Sequence, residues 1–178
     1  MVRWFKLALI SLLFFIAILT VFSLFVPSHL RLAKNINVAS HKDTILAFAA
    51  DFKSWPRWHP AFQNESVAGW KEINHGWENE NYRILLAEVK ENEVITEFGR
   101  PGKTLVKNVW RVIEAPGLDS VAVQWYMDFH LKWYPWEKFS GLFFEKMYGK
   151  QMEKGLVRMK SLLEELRHTN DLRLNRNH

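Results

Sequence analysis

The sequence lacks cysteine altogether, and it lacks the common signatures of nucleotide and metal chemistry. The absence of cysteine among 178 residues excludes disulfides, thiolate catalysis, a lipid-modified cysteine anchor and cysteine-ligated zinc. No Walker A loop, G-x-G-x-x-G turn, G-x-S-x-G elbow or H-E-x-x-H pair occurs. The sequence therefore predicts no metal site, no cofactor and no recognisable set of catalytic residues.

Long runs of like charge are also missing. The chain carries 24 Lys and Arg against 19 Asp and Glu, a net charge of +5, and the two signs are interleaved. Because a nucleic-acid partner requires a basic face or stripe, no such partner is predicted. Weak attraction to anionic lipid headgroups is compatible with the charge, and the sequence indicates no particular protein partner.

Aromatic residues, by contrast, are abundant. Nine Trp and thirteen Phe occur in a chain long enough for one domain with appendages. Large flat side chains fill a core from few positions, and they also suit the wall of an apolar pocket. Composition alone supports the two interpretations about equally.

Residues 7–26 form an apolar run without a charge. At about 1.5 Å per residue, a helix of this length spans roughly 30 Å, the hydrocarbon thickness of a bilayer. The run predicts a single-pass membrane anchor behind a short basic tail, residues 1–6. The alternative is a cleaved signal peptide, whose apolar region is typically about 7–15 residues long. Arg3 and Lys6 favour a cytoplasmic N-terminus, with the folded domain on the other side of the membrane.

The last third of the chain contains an amphipathic pattern that predicts one long helix, Glu137–Arg167. Residues 168–178 are predicted to be a flexible basic tail. The apolar positions recur at the spacing of one helical face. They are Phe139, Leu142, Phe143, Met147, Met152, Leu156, Met159, Leu162, Leu163 and Leu166.

The segments before this helix predict a sheet for it to lie on. A first strand at 30–38 precedes a helix at 44–52, with Ser40 as its N-cap, and a tight helical turn at 53–60. The predicted strands that follow are 65–71, 77–82, 82–90, 93–98, 104–113 and 121–129, with a turn at 115–119. The order predicts an α+β domain over residues 30–167, in which a curved antiparallel sheet of about six to seven strands wraps on the C-terminal helix.

Three stretches in this order resemble a known family. They are Ile36–Ser40, the W-x-x-W-x-P turn Trp55–Pro60, and the helix Met147–Lys160 with its "GL-x-x-LK" ending. The chain resembles the helix-grip fold of the START-like (SRPBCC, Bet-v-1-like) superfamily, and within it the polyketide cyclase/dehydrase and lipid-transport-type group. The resemblance covers about residues 31–166. It implies a cavity between sheet and helix but no particular activity, because the superfamily includes lipid carriers, aromatase/cyclases, hydrolases, quinone-binding proteins and chaperone activators.

A ligand cavity would be lined by the inward side chains of the strands and the apolar face of the helix. Asn108 is the notable polar candidate, since it shares a strand face with Val and Trp, and a buried amide needs a partner. His59, in the Trp-His-Pro turn, is the candidate general base, although no acidic partner for it is apparent. The remaining candidates are Tyr82, Trp110, Trp125, Met127 and Phe129 from the sheet, Met152, Leu156 and Met159 from the helix, and Trp55 and Trp58 at the mouth. Ordinary core packing explains most of these positions equally well.

Three functional hypotheses follow from the sequence. The first is a membrane-anchored START-like protein that binds a small hydrophobic or lipid-like ligand. The second is a polyketide cyclase/aromatase-like enzyme that uses Asn108, Tyr82 or His59 to handle protons. The third is a non-catalytic interaction module that stabilises a membrane partner. The absence of a catalytic set favours the first.

Overall fold

Seven antiparallel strands form one sheet in the computed structural model, which describes residues 2–63, 69–114 and 120–176. The order across the sheet is β1-β7-β6-β5-β4-β3-β2, so the first strand pairs with the last and the others run as a meander. The strands are β1 His29–Val38, β2 Lys71–Ile73, β3 Gly76–Glu78, β4 Arg83–Val89, β5 Glu93–Gly99, β6 Val106–Ile113 and β7 Val121–His130.

Helices precede the sheet, connect its first two strands and follow its last strand. They are α1 Val2–Leu24, α2 Lys42–Ala50, α3 Trp55–Trp58, a 3₁₀ turn Pro60–Phe62, α4 Pro135–Ser140, a 3₁₀ turn Gly141–Phe143, a π-helical segment Glu145–Gly149 and α5 Lys150–Arg176. The predicted α+β class, the antiparallel sheet of about six to seven strands and the long C-terminal helix are confirmed.

The pleat of the strands decides which side chains meet helix α5. On β7, Val123, Trp125 and Met127 are at most 3% exposed and face the core, as the alternation predicts. Trp110 of β6 lies directly opposite Trp125. A register shift between Leu86 and Glu88 marks a β-bulge that bends the sheet around the helix.

Boundaries before the main strands differ from the prediction. Helix α2 begins at Lys42, and its N-cap is His41 without a side-chain capping bond. The predicted Ser40 cap is wrong, because Ser40 stands one residue too early for its hydroxyl to reach the first turn. The strand predicted at 65–71 begins only at Lys71, and residues 64–68 lie outside the described part of the chain. The predicted turn at 115–119 lies outside it as well.

The long helix is the largest correction. It does not begin at Glu137 as one regular element, because 3₁₀ and π turns separate α4 from α5. A π turn adds a residue to the helical turn and so rotates the face that follows it. Leu142, Phe143 and Met147, predicted for the buried face, are 57–69% exposed.

The end of helix α5 also differs from the prediction. The helix continues to Arg176, so residues 168–176, predicted as a flexible tail, are helical. The stretch after Arg167 contains neither proline nor glycine to stop the helix.

Helix α5 lies very close to the sheet where Gly155 faces Trp125. A Cβ at position 155 would lie 2.7 Å from Cζ3 of Trp125 and 2.8 Å from Cδ of Pro60. Met152, Leu156 and Met159 on the same face are each 1% exposed. The glycine therefore permits a close approach of helix to sheet, the role that its position inside a helix indicates.

Helix α1 is apolar and lies almost entirely outside the core of the domain. Residues 3–24 are long and apolar enough to cross a membrane, with only 6% of the most apolar window buried. Helical structure already begins at Val2, so residues 2–6 belong to this helix and do not form a separate tail. The C-terminal end of α1 packs against α4.

Candidate ligand-binding cavity

A cavity of about 250 Å³ lies between the sheet, the segment after α3 and the π-helical segment. Its lining residues are His59, Pro60, Ala61, Tyr82, Phe98, Asn108, Trp125, Met127, Met147, Tyr148, Gln151 and Met152. None of these side chains is an acid, a lysine or an arginine. The lining is predominantly apolar, with six side chains that can donate or accept hydrogen bonds: His59, Tyr82, Asn108, Trp125, Tyr148 and Gln151.

One wall is fixed by a hydrogen-bond network centred on Asn108. The side-chain oxygen of Asn108 accepts from Nε1 of Trp125, and its Nδ2 donates to Oγ1 of Thr96 at 3.2 Å. The Thr96 hydroxyl in turn donates to the carbonyl oxygen of Asn108 at 3.3 Å. Asn108 and Thr96 are at most 1% exposed, so this buried network holds the Trp125 ring in place.

His59 borders the cavity inside a cage of aromatic rings. Its ring centroid lies 5.4 Å from that of Trp125, 5.6 Å from that of Trp58 and 6.0 Å from that of Trp110. Its Nδ1 accepts a hydrogen bond from the backbone N–H of Ala61 at 3.3 Å, which places the remaining ring proton on Nε2. Burial, with the side chain 3% exposed, lowers the pKa of the His59 imidazole from 6.5 to about 3.

The Nε2–H of His59 has no hydrogen-bond partner within the described ranges of the chain. Leaving a buried donor unpaired costs about 1–3 kcal/mol. The neutral ring cannot act as a base at Nε2, because that nitrogen carries the proton and Nδ1 is already accepting. The group is therefore suited to donate a hydrogen bond rather than to remove a proton near neutral pH.

Two tyrosines form the opposite side of the cavity. Tyr82 stacks on Phe98, with ring centroids 5.5 Å apart and planes 13° apart. Burial raises the pKa of the Tyr148 phenol, and the neighbouring Tyr82 raises it further. The raised pKa keeps the Tyr148 hydroxyl protonated at neutral pH, so it presents a neutral group to the cavity.

The structure brings together five of the predicted cavity residues. Tyr82, Asn108, Trp125, Met127 and Met152 line the cavity. The other six lie in the surrounding core: Trp55, Trp58, Trp110, Phe129, Leu156 and Met159, all at most 6% exposed. The placement of the two tryptophans of α3 at the mouth is wrong, since both rings are fully buried.

Sequence reasoning missed the lining residues that belong to irregular segments. Pro60 and Ala61 lie in the 3₁₀ turn that follows α3. The two prolines of this stretch indicate irregular backbone there. Met147, Tyr148 and Gln151 line the cavity because the π turn redirects this stretch. Phe98 of β5 also lines the cavity, although it is not among the predicted cavity residues.

Across the described residues, no group of three or more His, Cys, Asp or Glu side chains is placed to hold a metal ion.

Solved structures with the same fold define the class of the domain. A START superfamily protein from Mycobacterium smegmatis superposes with a TM-score of 0.51 at 20% identity, covering 76% of this chain and 98% of that one. Truncated norcoclaurine synthase from Thalictrum flavum gives 0.51 at 14% identity, covering 75% and 92%. The di-domain ARO/CYC StfQ from the steffimycin biosynthetic pathway gives 0.56 at 10% identity, covering 79% of this chain and 52% of that one. These similarities establish a START-like fold.

The family follows from the sequence profile of "Polyketide cyclase / dehydrase and lipid transport", which matches residues 29–164. The chain belongs to this family, as the resemblance in the sequence implies, and the family fold indicates a ligand-binding domain. No curated protein matches the chain.

Proposed function

We propose that the chain is a membrane-anchored protein that binds a small hydrophobic or lipid-like molecule in the cavity between sheet and α5. The observation that carries the proposal is a cavity in the family's fold whose lining contains no charged side chain. Transferring a charged group from water into such a site costs free energy. The part of the ligand that lies inside the cavity is therefore neutral. Met127, Met147 and Met152 supply flexible walls that adapt to different apolar shapes.

The size of the cavity limits the occupant. Pockets for drug-sized ligands measure roughly 300–1,000 Å³, and this cavity measures about 250 Å³. It accommodates a small apolar molecule or one end of a longer chain, with the remainder outside.

We infer that the Nε2–H of His59 orients this ligand; the nitrogen is buried, so a ligand oxygen reaches it only when the neighbouring aromatic rings shift. A carbonyl or hydroxyl oxygen on the ligand accepts its hydrogen bond and removes the cost of burying an unpaired donor. Because the pKa of this imidazole is about 3, the donor is neutral throughout the physiological pH range, and the interaction needs no proton uptake. This chemistry favours binding over the cyclase/aromatase alternative, which requires a group that exchanges protons near neutral pH.

Membrane attachment is assigned to α1. Its apolar side chains are exposed, so it is not a core helix. The residues just after α1 are hydrogen-bonded to the domain. Nζ of Lys138 donates to the carbonyl oxygen of Val26 at 2.6 Å and to Oγ of Ser28 at 2.7 Å. Helix α1 itself packs against α4, and this contact supports an anchor that stays with the folded chain rather than a signal peptide that is removed.

The test is native mass spectrometry of the full chain purified in mild detergent, with organic extraction of what accompanies it. A bound neutral lipid, quinone or other apolar molecule supports the proposal and identifies the ligand class. An empty protein that also fails to take up such molecules from lipid vesicles contradicts it, and co-purification with a protein favours the interaction module.

A further inference from the structure

Between β7 and α5, the domain exposes five large apolar side chains within residues 133–147. We call these residues the interfacial surface: Trp133, Trp136, Leu142, Phe143 and Met147, which are 57–69% exposed. Within the described part of the domain after α1 and Phe25, the other exposed large apolar residues are isolated: Val89, Ile113, Val157 and Leu166. A clustered apolar patch of this kind marks a contact with a partner or a membrane.

The interfacial surface continues from the C-terminal end of α1. Helix α4, which carries Trp136, packs against α1. Lys138 of the same helix is 4% exposed and bonds to Val26 and Ser28 just after α1. The exposed apolar side chains therefore lie at the level where a membrane-spanning α1 leaves the hydrocarbon.

The side chains of residues 132–150 are of the types that suit the boundary between the hydrocarbon and the headgroups of a bilayer. Trp133, Tyr134 and Trp136 form an aromatic group, with Tyr134 and Trp136 stacked at 5.0 Å and 3° between planes. Trp and Tyr are enriched where hydrocarbon meets headgroups, because each combines an apolar ring with a polar group. Lysine side chains at 132, 146 and 150 are exposed in the same stretch and attract anionic headgroups.

Met147 connects this surface with the ligand site. Its side chain is 57% exposed, and it also lines the cavity together with Tyr148 and Gln151. An apolar molecule leaving the cavity past Met147 therefore meets the interfacial surface before it meets open water.

We propose that the interfacial surface inserts into the headgroup–acyl boundary of the bilayer that α1 spans, so that the cavity opens onto the membrane beside Met147. The inference rests on the proposed function, since it requires α1 to be an anchor. An apolar ligand then exchanges between bilayer and cavity without crossing the aqueous phase.

Depth measurements on single labels test this insertion, and the cysteine-free chain makes labelling specific. Phe143→Cys carries a nitroxide in the full chain in nanodiscs of phosphatidylcholine and phosphatidylglycerol. The matched control is Val89→Cys, a second exposed apolar position, at the end of strand β4. Leu13→Cys, in the middle of α1, shows whether α1 itself lies in the lipid. Leu142→Cys replaces Phe143→Cys if that variant does not fold.

The labels at 143 and 13 are expected to be relaxed by oxygen and shielded from a water-soluble nickel chelate, whereas the label at 89 shows the reverse. A label at 143 that behaves like the one at 89, with the label at 13 in lipid, overturns the insertion and leaves the anchor intact. A label at 13 in water overturns the anchor and the insertion together.

Discussion

Gly155 of α5 lies in contact with the Trp125 ring that forms one wall of the cavity. A Cβ at this position would approach Cζ3 of Trp125 to 2.7 Å, closer than carbon atoms pack. The ring cannot easily retreat, because its Nε1 donates to the buried Asn108 side chain. The spacing between helix and sheet, and with it the shape of the cavity, depends on this contact.

Gly155→Ala is expected to destabilise the domain and reduce ligand binding. Overpacking costs about 1–3 kcal/mol, and the gain in helix propensity of about 1 kcal/mol offsets only part of it. Chemical denaturation of the full chain in mild detergent, followed by near-UV circular dichroism of the tryptophans, measures the effect. Val157→Ala, at an exposed position on the same helix, should be neutral or mildly stabilising. Equal stability of Gly155→Ala and the parent chain would contradict the close packing.

The buried His59 imidazole is expected to make the free energy of unfolding depend on pH. The pKa of the His59 imidazole is 6.5 in the reference state and about 3 in the folded chain, so between these values the unfolded state binds one more proton. The free energy of unfolding therefore falls as the pH falls from 6.5 towards 3, by about 1.4 kcal/mol per pH unit. Above pH 6.5 this group contributes no pH dependence.

His59→Phe keeps a planar ring and removes both the titration and the unpaired donor. The variant is expected to show a flatter stability profile between about pH 6 and 4, with a lower affinity for an oxygen-bearing ligand. The exposed His168 offers the control substitution, His168→Phe, which should retain the parental profile. A His59→Phe profile as steep as that of the parent would show that this imidazole is already charged or accessible in the folded state.

The convex face of the sheet also contains a charge pair between the exposed Arg31 and the buried Asp128. Arg31 binds Asp128 through two bonds, Nε to Oδ1 at 2.7 Å and Nη2 to Oδ2 at 2.9 Å, and its guanidinium lies 4.2 Å from the centroid of the Tyr126 ring. The hydrogen bonds from Arg31 lower the pKa of the Asp128 carboxyl. Asp128 therefore contributes stability that is present above its unfolded-state pKa, near 3.8, and is lost as the pH falls through the lower folded value.

Arg31→Ala is expected to cost about 1–3 kcal/mol, because it leaves Asp128, 8% exposed, without its charged partner. Thermal denaturation at neutral pH measures the loss, and the exposed Arg57 supplies the control, Arg57→Ala. A loss no larger than that of the control would mean that the carboxylate is stabilised by other neighbours.

The sequence predicts best where a residue's surroundings follow from its own strand or helix. The alternation along β7 correctly places Trp125 and Met127 on the core face, and the helical spacing places Met152 there. Burial of Tyr126 and Asp128 on the outer face could not be predicted in this way. It arises because Arg31 from β1 covers them, and that contact depends on which strands become neighbours.

Irregular backbone limits the prediction of the cavity. The apolar repeat around Met147 is compatible with one continuous helix, and only the π turn directs Met147 and Tyr148 to the cavity. The environment of His59 is similarly non-local, since its aromatic cage is assembled from α3, β6 and β7.

A larger side chain placed inside the cavity tests whether the apolar ligand binds there. Ala61 lines the cavity, whereas Ala33 is exposed on edge strand β1. Ala61→Trp and Ala33→Trp therefore add the same side chain inside and outside the proposed site. The measurement is the amount of apolar molecule extracted per mole of folded full-length chain. Ala61→Trp is expected to lose most of the bound molecule, whereas Ala33→Trp is expected to retain it. Equal retention by a folded Ala61→Trp variant would contradict binding in this cavity.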